Sequence, residues 1–150
     1  MPYSMKFPEE KAARAYGHEL RTSWKNAINI CIAIQGMPVR KAEAYLEAVI
    51  NLEKPVKMVR RNRKIAAKPG IGRGRYPVKS ADRTLKVLRN AINNAEYQGL
   101  DPDKMVITHA QAYKGRSLKA FMPRAMGRAT KKNEETTNLE IFIVEQEEEA

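Results

Sequence analysis

Residues 105–133 read MVITHAQAYKGRSLKAFMPRAMGRATKKN, a stretch with seven lysines and arginines and no aspartate or glutamate. Its first part, Met105 to Tyr113, is typical of a strand, and so is the later segment Asn138 to Val144. We call the residues between these two segments, Lys114 to Thr137, the arm. The arm is too long for an ordinary hairpin loop of about two to five residues, and too poor in large apolar residues to build a core. We therefore expect it to bind an anionic partner, and nucleic acid is the obvious one.

The charge of the whole chain is positive and unevenly distributed. The 150 residues include 28 lysines and arginines and 17 aspartates and glutamates, which gives a formal charge of +11. Between Lys54 and Arg89 there are thirteen cations and a single acid, Asp82, whereas residues 133–150 contain seven acids and no cation. Such a separation favours a neutral-to-acidic body that carries basic extensions.

The length indicates one domain that spans residues 1–150. We expect this domain to include a basic insert at residues 54–76, the arm at residues 114–137 and an acidic tail at residues 145–150. The single cysteine, Cys31, excludes an internal disulfide framework and suits a reducing compartment. No apolar run approaches the roughly 18 residues that span a bilayer, and no apolar signal core is evident near residue 1. These features predict a soluble intracellular protein.

Three segments have the spacing of helices. The first, Trp24 to Gln35, follows Ser23 as a natural N-cap and precedes Gly36 as a natural stop. The second begins near Pro38, and the third runs from about Val78 to Tyr97. The apolar residues predicted to face the core are Ala27, Ile28, Cys31, Ile32 and Ile34 in the first helix, Val39, Ala42, Leu46, Val49 and Ile50 in the second, and Ala81, Leu85, Leu88, Ile92 and Ala95 in the third.

The predicted elements indicate the α+β class. A further strand is indicated at Ala13 to Arg21, where the alternation of apolar residues is weaker. We expect three helices packed on a small antiparallel sheet, with a long basic β-hairpin that protrudes from it. If Met105 to Tyr113 pairs with Thr136 to Val144, the midpoint of the pairing falls near Arg124 and Ala125. The arm then reaches roughly 30 Å beyond the sheet, at about 3.3 Å per residue.

The basic insert, Lys54 to Tyr76, shows no helical or strand periodicity. Its glycines at 70, 72 and 74 invite comparison with phosphate-binding loops, but they match neither the dinucleotide fingerprint nor the Walker spacing. The plainer interpretation is a flexible basic loop whose glycines let the backbone approach phosphates closely.

The sequence contains no recognisable catalytic or metal-binding arrangement. His18 and His109 are its two histidines, and neither has a cysteine or a carboxylate at metal-ligand spacing. Cys31 lies on the predicted apolar side of its helix, so we expect a small core residue. Glu43 and Glu47 lie four residues apart on a predicted outer face, which is typical of a solvated surface. We therefore expect no enzyme, no cofactor and no metal site, and a solubilising role for the C-terminal glutamates.

Three motifs resemble one protein family across nearly the whole chain. They are Asn93-Asn-Ala-Glu-Tyr97, Met122-Pro-Arg-Ala-Met-Gly-Arg-Ala129 and Thr137-Asn-Leu-Glu-Ile-Phe-Ile-Val144. The chain resembles the large-subunit ribosomal protein family L twenty-two, called L seventeen in eukaryotic usage. Its long insert, with Gly-Arg-Tyr-Pro-Val-Lys at 74–79, is similar to the archaeal and eukaryotic branch, and its short C-terminus favours the archaeal type. Glu134 and Glu135 replace basic residues of the bacterial form, which weakens the expectation of RNA contacts on the returning strand of the arm.

The resemblance implies a structural, cytoplasmic protein of the large ribosomal subunit that binds rRNA. Its body would lie near the exit of the peptide tunnel, its arm would run inward through the rRNA, and the tip of the arm would face the nascent peptide. The implied partners are large-subunit rRNA, neighbouring ribosomal proteins and the nascent peptide, with no membrane and no small-molecule substrate. The cations expected to bind rRNA are Arg60, Arg61, Arg63, Lys64, Lys68, Arg73, Arg75, Lys79, Arg83, Lys86, Lys114, Arg116, Lys119, Arg124, Arg128, Lys131 and Lys132. The residues expected at the tunnel tip are Met122, Pro123, Arg124, Ala125, Met126 and Gly127.

Two other classes of protein share some of these features. An architectural DNA- or RNA-binding protein outside the ribosome would also use a basic two-stranded arm, and it would bind duplex DNA with comparable affinity. An RNA-modifying enzyme would need a cofactor loop or a paired acid and base, and the sequence shows neither. Co-sedimentation with large ribosomal subunits through a high-salt wash distinguishes the ribosomal interpretation from the architectural one.

Overall fold

The structure is a computed structural model that describes residues 3–5 and 11–145. Within these residues the chain forms three α-helices, eight strands and two short 3-10 helices. The α-helices are α1 (Trp24–Ile34), α2 (Val39–Ile50) and α3 (Val78–Tyr97). The strands are β1 (Ala12–Leu20), β2 (Val56–Lys57), β3 (Ala67–Lys68), β4 (Gly72–Arg75), β5 (Met105–Leu118), β6 (Phe121–Pro123), β7 (Ala129–Lys131) and β8 (Glu134–Glu145), and the 3-10 helices are Pro102–Lys104 and Ala125–Gly127. The predicted α+β class is confirmed, and residues 146–150 of the predicted acidic tail lie outside the described residues.

The central strand of the main sheet is β8. The strand order is β1-β8-β5, and both neighbours run antiparallel to β8. Ile141 of β8 pairs with Ala15 of β1 on one side and with Ala110 of β5 on the other. Leu139, Ile141 and Ile143 alternate along β8 and are buried in the core that the helices share. The predicted strand near residues 13–21 is therefore confirmed as an edge strand of this sheet.

The three α-helices cover one face of the main sheet. α3 packs on β1, α1 packs on β5, and α2 packs against α3. All five residues predicted to face the core from α3 are buried, and so are four of the five predicted from α2, while Ile50 is partly buried. No helix in the described part of the chain is both long enough and apolar enough to cross a membrane.

The buried face of α1 differs from the prediction. Ile32 was expected to face the core, but 39% of its surface is exposed, whereas Ile30 and Asn29 are buried. The helix is apolar around most of its circumference, so helical spacing alone does not define one buried side. Its position is fixed from outside, because Gly36 (φ +80°) turns the chain after the helix and donates a backbone hydrogen bond of 2.7 Å to Ile107 of β5.

The other face of the main sheet carries a fully buried carboxylate, Glu140. Glu140 accepts a hydrogen bond of 3.1 Å from the backbone amide of Ser4 and a second one from the Ser4 hydroxyl. His109 Nε2 lies 3.3 Å from Glu140 Oε1 across the pairing of β5 with β8. These partners matter because a carboxylate without them is costly to remove from water. The contact joins residues 31 positions apart in sequence, which is why the spacing of the histidines did not predict it.

The basic insert was predicted to be a flexible loop, but it contains a small antiparallel sheet with the strand order β2-β4-β3. Val56 and Met58 are buried in the core of the body and anchor one end of the insert. Gly70 (φ +79°) and Gly72 (φ +72°) turn the chain between β3 and β4. Strands of two to four residues are too short to produce a period-two pattern, so the sequence did not reveal them.

The arm continues the strand pairing of the main sheet. β5 pairs with β8 as far as Leu118 and Glu134, and β6 pairs with β7 as far as Pro123 and Ala129. The register shifts twice along β5, which moves the centre of the pairing to Met126. The predicted midpoint near Arg124 and Ala125 was therefore wrong by one to two residues, because a sequence does not show where bulges will fall.

Candidate nucleic-acid interface

The outer part of the arm is exposed and basic. Every residue from 119 to 135 is exposed. Among the described residues, no carboxylate lies within 4.0 Å of the five cations in this stretch. These cations are Lys119, Arg124, Arg128, Lys131 and Lys132. Positive charge that the protein itself leaves unpaired is available to phosphates, whose binding releases condensed counterions.

The turn at the end of the arm has a defined backbone. The amide of Arg124 donates a hydrogen bond of 2.8 Å to the carbonyl of Arg128. Between them Met126 (φ +59°) and Gly127 (φ +67°) adopt the left-handed conformation, which is common for glycine and uncommon for methionine. The side chain of Met126 is 90% exposed. The residues predicted for the tip thus lie together in one turn that presents a cation and a large apolar side chain.

The base of the arm is tied to the body through Glu135. Lys114 Nζ lies 2.8 Å from Glu135 Oε1, and the indole nitrogen of Trp24 donates a hydrogen bond of 2.6 Å to Glu135 Oε2. The hydrogen bond from Lys114 is the largest cause that lowers the pKa of Glu135, and the one from Trp24 adds to it. Glu135 therefore contacts Lys114 and the indole of α1, and Lys114 is partly neutralised.

The ring of Trp24 also contacts the basic insert, close to Glu135 at the base of the arm. The guanidinium of Arg61 lies 4.3 Å from the ring centroid, and Lys25 Nζ lies 5.9 Å from it. Sequence reasoning did not include Trp24 or Lys25 among the site residues. An aromatic residue beside a lysine at the start of a helix is the signal that could have suggested them.

The insert supplies further cations. Arg73 Nη1 donates a hydrogen bond of 3.2 Å to the carbonyl oxygen of Asn62, which holds the arginine side chain against the loop between β2 and β3. Lys68 Nζ lies 5.5 Å from the ring centroid of Tyr76. The remaining cations predicted here, Arg63, Lys64 and Arg75, are exposed. The insert therefore presents a group of cations beside the start of α1.

The predicted cations on α3 are partly paired with the protein's own acid. Asp82 lies 3.2 Å from Lys86 and 3.9 Å from Arg83. Lys79, one turn earlier, borders an open cavity of about 440 Å³ next to Arg21 and Glu135. Of the three predicted cations on this helix, Lys79 is thus the one nearest to the base of the arm.

Two cations elsewhere in the body, Arg40 and Arg89, are paired with acids. Arg89 of α3 lies 2.9 Å from Glu43 and 2.8 Å from Glu47, both on α2. Arg40 lies 2.6 Å from Asp103. Among the seventeen cations predicted to bind rRNA, carboxylates of the described residues neutralise only Lys114, Arg83 and Lys86. The unpaired cations of this set therefore lie in the insert and the arm, with Lys79 of α3 as the one exception.

Candidate catalytic groups have structural roles. Burial raises the pKa of the Cys31 thiol to about 12, so the thiol is protonated and unreactive at neutral pH. Glu43 and Glu47 both form salt bridges with Arg89. Within residues 3–5 and 11–145, no three histidine, cysteine or acidic side chains are grouped as metal ligands would be.

Comparison with known proteins gives a consistent match. The sequence profile of the family described as Ribosomal protein L22p/L17e matches residues 15–144, which include the body, the insert and the arm. A large ribosomal subunit protein uL22 from Methanothrix thermoacetophila is 48% identical over 141 residues, which cover 92% of this chain and 93% of the relative. Proteins of the same name from Archaeoglobus fulgidus and Methanopyrus kandleri are 45% and 43% identical over 136 and 141 residues. These alignments cover 89% and 91% of this chain and 88% and 89% of the two relatives.

Proposed function

Because this chain belongs to the ribosomal protein L22p/L17e family, we propose that it binds large-subunit rRNA as a structural constituent of the large ribosomal subunit. The family is structural and not enzymatic, and the archaeal relatives place the chain in the cytoplasm, within the large subunit. In this role the chain acts as one domain, with the insert and the arm as its RNA-binding extensions.

The observation that carries the proposal is the position of the unpaired positive charge. Among the described residues, fourteen of the seventeen predicted cations have no carboxylate within 4.0 Å, and most of them lie on the insert and the arm. The paired cations around α2 contribute little net field, because their acids neutralise them. Binding to phosphates follows from this charge and depends steeply on salt concentration.

The geometry of the arm suits a narrow space inside folded RNA. A two-stranded ribbon is about 5 Å wide between its backbones, and the ten residue-to-residue steps from Lys114 to Arg124 extend it by roughly 33 Å. We propose that the body lies near the peptide exit and that the arm threads through rRNA, with residues 122–127 in the wall of the nascent-peptide tunnel. The partners in this arrangement are large-subunit rRNA, neighbouring ribosomal proteins and the nascent peptide at the tip.

A sedimentation experiment tests the ribosomal assignment. The tagged full-length chain, expressed in an archaeal host, is expected to co-sediment with large subunits on a sucrose gradient and to remain bound through a high-salt wash. The purified chain should also bind transcribed archaeal large-subunit rRNA more tightly than duplex DNA at the same salt concentration. Equal affinity for both nucleic acids, with the chain absent from large subunits, would instead support an architectural protein outside the ribosome.

A further inference from the structure

Asn29 is a buried amide whose hydrogen bonds hold the first part of the basic insert. Only 2% of its surface is exposed. Its Oδ1 accepts hydrogen bonds of 2.8 Å from the amide of Val59 and 2.9 Å from the amide of Arg60. Its Nδ2 donates to the carbonyl of Lys25, at 2.8 Å, and to that of Arg60, at 3.1 Å. Both amide hydrogens and both acceptor sites of this side chain are therefore used, and three of the four bonds go to the insert.

These bonds fix the backbone immediately before Arg61. Arg61 itself has a left-handed backbone conformation (φ +56°), which residues other than glycine adopt infrequently. The conformation directs its guanidinium onto the ring of Trp24, at 4.3 Å from the ring centroid. A stacked guanidinium keeps the donors at its edge free, and those donors match the geometry of two phosphate oxygens.

Within the described part of the chain, the charges of Arg60 and Arg61 are not paired with an acid. Arg60 and Arg61 are exposed, and among the described residues neither has a carboxylate within 4.0 Å. Arg60 borders an open cavity of about 300 Å³ beside Ile32 and Gln35 of α1. The indole nitrogen of Trp24, at the edge of the same ring, donates a hydrogen bond to Glu135 at the base of the arm. Two adjacent cations are thus held in one arrangement, next to the point where the arm leaves the body.

We propose that Arg60 and Arg61 form a preformed binding site for RNA phosphates, and that Asn29 and Trp24 are the positioning residues that build it. This inference rests on the proposed function, because it concerns how the chain holds rRNA. Asn29 sets the backbone of the two arginines, and Trp24 holds the guanidinium of Arg61. The bound RNA strand runs across the start of α1, where Lys25 Nζ also lies 5.9 Å from the centroid of the indole ring. Preorganisation of this kind raises affinity because less side-chain freedom is lost on binding.

The test measures binding of the full chain to transcribed archaeal large-subunit rRNA over a series of salt concentrations. Asn29→Ala is expected to weaken binding roughly tenfold, because Arg60 and Arg61 then lose their fixed geometry and with it about one charge-assisted hydrogen bond to phosphate. Combining Asn29→Ala with Arg60→Ala and Arg61→Ala should weaken binding no further than the two arginine changes alone. Amide exchange should show loss of protection at Val59 and Arg60 in the Asn29 variant.

Thr84→Ala is the matched control for general destabilisation. Thr84 is buried and hydrogen-bonded within α3, at 2.9 Å from the carbonyl of Ser80, away from the insert. Its loss should lower stability while leaving rRNA affinity and its salt dependence unchanged. Equal losses of affinity in the Thr84 and Asn29 variants would overturn the inference, because the effect of Asn29 would then be one of stability alone.

Substitutions at Trp24 give an independent test that does not remove a buried polar group. Trp24→Phe keeps an aromatic face for Arg61 and should keep most of the affinity, whereas Trp24→Leu should lose about as much as Arg61→Ala. Full affinity in the leucine variant, with the arm cations still required for binding, would overturn the inference and leave the proposed function in place. No binding of rRNA by the unchanged chain would overturn both.

Discussion

The indole nitrogen of Trp24 donates a hydrogen bond of 2.6 Å to Glu135, so the first residue of α1 is joined to the base of the arm. The same carboxylate lies 2.8 Å from Lys114 on the neighbouring strand. One acid therefore orients both the arm and the aromatic ring that stacks on Arg61 of the insert. The joint is exposed to solvent, so its strength depends on salt and on pH.

The first prediction concerns pH. Hydrogen bonds from Lys114 and then from Trp24 lower the pKa of Glu135 in the folded chain. Because the folded pKa is the lower one, the joint is fully formed above the pKa of an unfolded glutamate, about 4.3, and is lost as the pH falls through the folded pKa. The chain has one tryptophan, so its indole N–H resonance reports the joint directly. We expect this resonance to titrate below pH 4.3, and Glu135→Gln to abolish the titration. A midpoint at or above that pH would contradict the prediction.

The second prediction concerns the arm cations. Changing Arg116, Lys119, Arg124 and Arg128 together to alanine should flatten the dependence of log K on log salt by about 0.7–0.9 for each phosphate that the variant no longer neutralises. The measurement is rRNA affinity between low and moderate salt. Alanine at Arg40, Lys41, Arg89 and Lys104, four exposed cations around α2, is the matched control and should change the slope much less. An equal change in both variants would mean that total charge, and not the arm, governs binding.

The third prediction concerns Gly115, at the base of the arm. A Cβ atom there would lie 2.6 Å from Thr136 Oγ1, and that hydroxyl donates a hydrogen bond of 2.7 Å to the carbonyl of Arg116. Gly115→Ala should therefore displace the Thr136 side chain and lower the free energy of unfolding by about 1–3 kcal/mol. Denaturant unfolding measures the change in stability.

A double-mutant cycle with Thr136→Ala isolates the cause. If the clash with the Thr136 side chain is responsible, adding Gly115→Ala to the Thr136 variant should cost much less than it does in the unchanged chain. Fully additive effects would show that Gly115 is needed for its backbone conformation and not for the space beside Thr136.

The fourth prediction concerns the tip. Deletion of residues 122–127 should leave incorporation into large subunits largely intact, since most unpaired cations lie elsewhere on the arm and in the insert. It should change the response of the assembled ribosomes to tunnel-binding antibiotics or to stalling nascent peptides. A same-length Gly/Ser replacement separates the removal of side chains from the shortening of the arm. Normal incorporation with an unaltered response would remove the tunnel assignment and leave the rRNA-binding proposal standing.

The sequence predictions were accurate where the structure depends on residues close together in the chain, and less accurate where it depends on distant residues. The twenty residues of α3 carry one apolar side and one polar side, and its bounds and five of its nine buried residues were predicted. In α1, the position of β5 decides whether Ile30 or Ile32 is buried. The helix is apolar around most of its circumference, so its sequence does not indicate where β5 lies. The positions of the positive charges along the chain could also be predicted, because lysine and arginine are cations wherever they lie in the fold.

The contacts that organise the candidate site were not predictable from spacing. Trp24 and Glu135 are 111 positions apart, and Asn29 is 31 positions from Arg60. Asparagine on an amphipathic helix is ordinarily exposed, so the neighbouring sequence does not indicate that Asn29 is buried and hydrogen-bonded to the insert. The sequence predicts a flexible loop for the insert because its strands are too short to produce a pattern and its order comes from contacts with the body.

The central position of β8 has a consequence for how the chain is made. Ala13 of β1 finds its partner, Ile143, only after 130 further residues have been synthesised. Until then α1 and α3 can form, but the sheet on which they pack is incomplete and their apolar sides remain exposed to water. The basic insert and most of the arm therefore leave the synthesising ribosome before the body can close. Nascent chains have a period in which cationic segments are already free to meet RNA while the hydrophobic core is still open, and premature RNA contact would compete with folding.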